Sequence, residues 1–212
     1  MRTALTKRDE DLLKTLTHRV HVATAEQIGR GWWGGCREPG RSALERVRTL
    51  QKMGLVECHR VNIHPLLRME KPEACWSPGQ PRPDFGAVAY RLRNRWTRSL
   101  KLTAVVIASK KAANTFAGFG GKFKHRTQLT HDTHVAELYL RRTAMDATVR
   151  ERWVGEEILG RDTRGEKVPD ALLTNGVGEA DLVIDFGGSY DKRRVQQFHS
   201  YCEKNEVAYE LW

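Results

Sequence analysis

Arg41-Ser-Ala-Leu-Glu-Arg-Val-Arg-Thr-Leu-Gln-Lys-Met53, followed at once by Gly54-Leu-Val56, decides how the first third of this chain is read. Leu44, Val47 and Leu50 recur at helical spacing, which predicts one buried face, and Gly54 is a natural residue to end the helix. The next stretch, Leu55 to Ile63, has strand character. Working back, Thr24 is placed to cap a short helix, Ala25–Gly29, with Ile28 facing inward. Thr6 is placed to cap another, from Lys7 to about His18, with Asp9, Glu10 and Asp11 in its first turn, where the helix dipole favours anions. Leu12, Leu13 and Leu16 form its apolar stripe. Between the second and third helices, Gly29–Gly40 holds five glycines and a proline, which predicts a loop. Trp32 and Trp33 lie in that loop, either packed under it or exposed as wedges.

Helix, helix, helix and strand in this order resemble the winged-helix family of DNA-binding domains. The resemblance is carried by Thr24-Ala-Glu-Gln-Ile28, Ala43-Leu-Glu-Arg-Val-Arg-Thr-Leu50 and Gly54-Leu-Val56. It implies that the third helix enters the major groove and that the following strand belongs to the wing. With Leu44, Val47 and Leu50 turned to the core, Arg41, Ser42, Glu45, Arg46 and Arg48 are left to meet the duplex. Arginine suits that task, because its planar fork pairs with guanine or grips phosphate.

Charge points to a polyanionic partner. The 212 residues hold 36 Lys+Arg and 26 Asp+Glu, a net charge of +10. Residues 1–64 carry 12 and 7, residues 65–150 carry 16 and 6, and residues 151–212 carry 8 and 13. No carboxylate lies between Asp84 and Asp132, a stretch that includes Arg91, Arg93, Arg95, Lys122 and Lys124. Such a segment repels itself unless a polyanion is near, and nucleic acid is the expected one. A solvated basic face or an acidic protein partner is the alternative.

The composition excludes several classes. Hydrophobic residues make up 40%, ordinary for a folded protein. No apolar run is long enough to span a bilayer, and the N-terminus has no apolar signal core, so no membrane and a cytoplasmic location are expected. Cys36, Cys58, Cys75 and Cys202 are scattered, which argues against a disulfide framework and gives little support to a zinc ribbon. Five of the seven prolines fall between Pro65 and Pro83, predicting a linker or ordered coil there. Arg91 to Arg98 reads as a basic helix, and Leu102 to Ser109 as a strand or a buried helix. Gly118 to His125 is a glycine-rich loop with lysines, suited to backbone phosphate or simply to tight loop geometry.

Beyond residue 126 the pattern predicts a helix from His131 to about Met145, capped by Thr130. Strands follow at Trp153–Leu159, Lys167–Thr174 and Ala180–Phe186, then a helix from Tyr190 to about Lys204 and a last strand, Val207–Trp212. This α-β-β-β-α-β order resembles the PD-(D/E)xK nuclease-like fold, on Pro169-Asp170, Asp185 and Glu156 or Glu157. The resemblance implies Asp170 and Asp185 as ligands of Mg²⁺ or Mn²⁺, with Glu156 beside them. Such an ion neutralises a scissile phosphate and activates water. The position expected to hold a lysine is Gly187; Lys192 is the nearest candidate for that role. If Asp185 itself stands in the lysine position, the acidic position holds Val183. His131, His134 and Glu137 share a helix face at spacings that could also hold a transition metal.

Both halves together resemble the replication-relaxation family of plasmids and other mobile elements. The fold class expected is α/β (α+β), in three segments: a winged helix over 1–64, a Pro-rich linker and basic segment over 65–126, and a nuclease-like domain over 127–212. The function expected is DNA-binding accessory or regulatory work for a mobile element, in replication, mobilisation or transcription control, with a homodimer or protein partner compatible. The alternatives are a Mg²⁺-dependent endonuclease or nickase, and a protein-interaction module.

Overall fold

In the computed structural model, residues 4–123, 128–160 and 168–212 are described. The first elements are α1 (Lys7–His18), β1 (Ala23–Thr24), α2 (Ala25–Trp33), α3 (Pro39–Lys52), β2 (Val56–Ile63) and β3 (Ala74–Trp76). Next come α4 (Phe85–Asn94), β4 (Lys101–Ala108), α5 (Lys110–Thr115) and α6 (Leu129–Met145). The chain ends with α7 (Val149–Arg152), β5 (Trp153–Gly155), α8 (Glu156–Leu159), β6 (Ala171–Thr174), β7 (Ala180–Asp185), α9 (Lys192–Lys204) and β8 (Ala208–Leu211). The class is α+β, with two sheets. Among the described residues no helix is long and apolar enough to cross a membrane.

The chain forms two compact units, neither continuous in sequence. The first takes Met1–Pro65 and Leu100–Met145, the second Leu66–Ser99 and Asp146–Trp212. This differs from the linear partition: residues 127–145 pack with the first unit, and the proline-rich stretch with part of the basic segment belongs to the second. The physical reason is strand pairing. β2 and β4 pair antiparallel from Val56↔Ala108 to Ile63↔Lys101, so the intervening chain leaves and returns at one place.

In the first unit, α1 starts at a full capping box, with Thr6 and Asp9 satisfying each other's backbone N–H groups. α2 runs through Gly29 and Gly31, where a loop was expected. The glycines mark close approach instead. A Cβ on Gly29 would stand 3.0 Å from the Gly40 backbone, and one on Gly31 would stand 2.8 Å from the Leu140 side chain. Trp32 and Trp33 are buried, and the Trp32 indole N–H donates to Asp11 at 2.8 Å. α3 begins at Pro39, well suited to a first turn. It buries Ala43, Val47 and Leu50, whereas Leu44 is 38% exposed, so the inward stripe is rotated by one residue from the expected one. The sheet order is β1-β4-β2, and Val22, Ile63, Val105, Ile107 and Leu129 form a core against it. The ambiguous stretch 102–109 is thus a strand: its apolar, β-branched residues line a core face.

In the second unit the sheet order is β3-β8-β7-β6-β5. β5, β6 and β7 are antiparallel neighbours; β7 and β8 are parallel and joined by α9. β3, drawn from the proline-rich stretch, pairs antiparallel with β8. α4 and α9 pack together, and Val88, Leu92, Val183, Val195, Phe198, Tyr209 and Leu211 share their core. The expected strand at 153–159 stops at Gly155, and Glu156 opens the short helix α8 instead. The basic helix expected at Arg91–Arg98 is the end of α4, which stops at Asn94.

Candidate functional site

The first unit is where the positive charge resides. It holds 20 Lys+Arg and 9 Asp+Glu, a net +11, while the second holds 16 and 17, a net −1. Of the first unit's cations, Arg41, Arg48 and Lys52 are exposed on the outward face of α3.

On α3 the expected contact residues have separate fates. Arg46 is a structural residue: its Nε donates to Asp9 Oδ1 at 2.8 Å, and Asp9 is 1% exposed. Arg41 is exposed and shares surface ion pairs with Glu38 at 3.4 Å and Glu45 at 3.3 Å, contacts easily exchanged for a stronger anion. Ser42 is half-buried. Arg48 is exposed and has no protein partner among the described residues. Arg37 and Lys52 behave the same way and were missed from sequence. Lys52 follows Arg48 by four residues, a helical spacing that could have found it. Trp33, buried under Arg8 at 5.1 Å, is no wedge.

The glycine-rich loop is explained by packing. A Cβ on Gly120 would stand 2.6 Å from the Ala108 carbonyl oxygen, and one on Gly118 would stand 2.5 Å from that of Thr17. Lys122 is exposed on this loop; Lys124 lies outside the described residues. Lys111 Nζ donates to Met53 O at 2.9 Å, so a second lysine meets the carbonyl end of α3.

In the second unit, the register Ala171↔Ile184 sets Asp170, just before β6, opposite Asp185 at the end of β7. Asp170 Oδ2 accepts the Phe186 N–H at 2.6 Å. Asp185 is buried and hydrogen-bonded to Tyr190, a partner that sequence reasoning missed. Burial, then the charges of Asp185 and Asp170, push the Tyr190 phenol above its ordinary range. The Glu156 backbone N–H donates to Asp170 O at 3.0 Å, so this residue meets the pair through its main chain. Lys192 is exposed at the start of α9, behind the capping Asp191. Arg91 is paired with Glu73 at 2.8 Å, and Arg93 is exposed. Arg95 lies over the Phe186 ring, 4.4 Å from its centroid.

No family model, no curated protein and no solved structure matches this chain.

What the site can do rests on its side chains alone. Among the described residues, no group of three or more His, Cys, Asp or Glu side chains is arranged to hold a metal. Asp170 and Asp185 are brought together: Asp170 Oδ2 accepts the Phe186 N–H, and Asp185 bonds Tyr190 and keeps a buried oxygen, Oδ1, that accepts no hydrogen bond from the described residues. The members of the helix trio have protein partners of their own. Glu137 binds Arg30 and Gln27, His134 Nδ1 meets Thr130 O at 2.6 Å, and His131 faces Asp132 at 3.3 Å. Burial raises the Glu137 pKa, but the bonds from Arg30, Gln27 and Arg141 outweigh it and hold the carboxyl below its usual range.

Proposed function

We propose that this protein binds duplex DNA through the outward face of α3, as an accessory or regulatory protein of a mobile element. The observation that carries the reading is the stripe of Arg41, Arg48 and Lys52, exposed on α3 of a unit with net charge +11. Helix, strand, helix, helix and two antiparallel strands support a winged-helix reading of that unit. In it, β2 and β4 are the wing strands, and the chain between them carries part of the second unit. The second unit is read as nuclease-like from its β5-β6-β7-α9-β8 succession, with β8 parallel to β7. The leading helix expected for that fold, α6, belongs to the first unit. Resemblance to the replication-relaxation family agrees with both readings. We read the second unit as one that does not cut, because Gly187 stands where the nuclease-like pattern expects a lysine.

The deciding experiment incubates the protein with supercoiled plasmid, with Mg²⁺ or Mn²⁺ and with EDTA, beside Asp170→Ala. Retarded, intact plasmid in every lane is expected. Nicking that needs metal and disappears in Asp170→Ala would replace this reading with the endonuclease one. No retardation at low salt would remove DNA binding itself, since phosphate contacts are strongest there.

A further inference from the structure

Arg95 is an anomaly in the second unit. It follows the last turn of α4, and its Nη2 donates to Gly188 O at 3.1 Å, far away in sequence. Its guanidinium lies over Phe186 at 4.4 Å and near Trp96 at 5.5 Å. Its Nε is buried and has no hydrogen-bond partner. Among the described residues no carboxylate is ion-paired with it, and Glu73, whose charge acts on it, is bound to Arg91. Burial, opposed only weakly by Glu73, pushes its pKa down to about 10. A desolvated cation with one carbonyl partner and two aromatic faces is under-compensated, because buried charges are normally paired with an opposite charge.

The surroundings say what is missing. Arg95 stands at the carboxyl end of β7, against the turn Gly187-Gly188, and the Tyr190 N–H closes that turn onto Gly187 O at 2.8 Å. In sheets with parallel strands, ligands gather at this edge. Arg194 lies over Tyr190 at 5.1 Å, and Lys192 and Arg193 are exposed beside it. None of these three has an ion pair among the described residues.

We propose that the Arg95 guanidinium, at the carboxyl end of β7, binds a phosphate-ester oxyanion. The planar fork matches two phosphate oxygens, and a doubly charged phosphate ester offsets the under-compensated cation more fully than a singly charged carboxylate does. The site lies in the second unit and does not depend on α3, so either reading can fail without the other. The phosphate can belong to a nucleic-acid backbone or to a free phosphate ester.

The test follows the arginine Nε–Hε signals of the ¹⁵N-labelled full chain. Inorganic phosphate is titrated at constant ionic strength, with acetate as the matched control. One signal, absent in Arg95→Lys, is expected to move saturably with phosphate and not with acetate. A duplex oligonucleotide is then added to Arg48→Ala/Lys52→Ala protein. Movement of the same signal assigns the phosphate to the nucleic-acid backbone, and movement with inorganic phosphate alone assigns it to a free ester. No movement with phosphate or duplex, or equal movement with acetate, overturns the proposal.

A melting experiment guards against a folding effect. Arg95→Met is expected to melt no lower than the parent, because an under-compensated charge has gone, and to lose the rise in Tm that phosphate produces. A markedly lower Tm with an unchanged response to phosphate would make Arg95 a structural residue and overturn the site.

Discussion

Arg46 on α3 is bound by two nitrogens to the carboxylate of Asp9 on α1, with Nε at 2.8 Å from Oδ1. Asp9 also accepts the backbone N–H and the hydroxyl of Thr6, both at 2.7 Å. The ion pair therefore ties α3 to the capping box that starts α1. Arg46→Ala leaves a buried carboxylate with the Thr6 bonds alone. It is expected to destabilise the protein by about 2–3 kcal/mol, less than the ~3–5 kcal/mol that breaking a fully buried pair costs, because the Arg46 side chain is 20% exposed. Urea unfolding measures this, and an effect below about 0.5 kcal/mol would show that the pair is dispensable.

The same pair shapes the response to acid. Burial raises the Asp9 pKa, but the bonds from Arg46 and Thr6 outweigh it, so the carboxyl sits below its ordinary value. Glu137 is held down in the same sense by Arg30, Gln27 and Arg141. A carboxyl depressed in the folded state stabilises above its unfolded pKa, and that stability is lost as pH falls through the folded pKa. The urea midpoint is expected to begin falling below about pH 6.5, where His199, held below its ordinary value by burial, takes up its proton more readily when unfolded, and to fall more steeply below about pH 4 as the carboxyls protonate. In Arg46→Ala, burial acts on Asp9 with less opposition. The gap between parent and variant is then expected to narrow toward pH 3; a constant gap would refute the assignment.

Arg48 and Lys52 are expected to behave in the opposite way. Both are exposed, so replacing either by Ala is expected to change stability by less than about 0.5 kcal/mol. Each is expected to weaken duplex binding. A replacement that removes a phosphate contact lowers the slope of log K against log salt by about one. Binding isotherms at several salt concentrations give that slope. Full affinity in Arg48→Ala/Lys52→Ala would move the DNA face away from α3.

The glycine-rich loop yields a contrast between two neutral substitutions. Gly120→Ala puts a methyl group 2.6 Å from the Ala108 carbonyl oxygen and 2.8 Å from that of Ser109. It is expected to cost about 1–3 kcal/mol, as overpacking does. Gly35→Ala meets nothing within 4 Å and is expected to be neutral or slightly stabilising. Equal thermal stability of the two variants would mean that the loop is free to move away from β4.

Periodicity and end signals made much of the local structure legible. Thr6, Thr24 and Asp191 are short polar side chains that accept backbone N–H groups, and each starts a helix close to where the sequence reading placed it. The apolar run at Val183-Ile184 likewise became the centre of β7. Gly29 and Gly31 misled because a glycine has two uses: it loosens a chain, or it lets another backbone approach. Only the crossing of α2 with α3 and α6 shows that the second applies. Leu44 misled because a helical stripe defined by three leucine or valine residues can rotate when a smaller residue, Ala43, fits the closer contact.

By itself the sequence determined the starts of α1 and α2, the apolar run of β7, the excess of positive charge and the carboxylates Asp170 and Asp185, all properties of residues near one another in the chain. Tertiary structure alone decided which cations are free. It paired Arg46 with Asp9 and Arg91 with Glu73, left Arg48 and Lys52 open, and laid the half-buried Arg95 over Phe186. It also divided the chain into two discontinuous units, because β2 pairs with β4 across the intervening segment. These outcomes depend on contacts between residues distant in sequence, whose energy is set by burial and by the partner each charge finds. That information has no local signature.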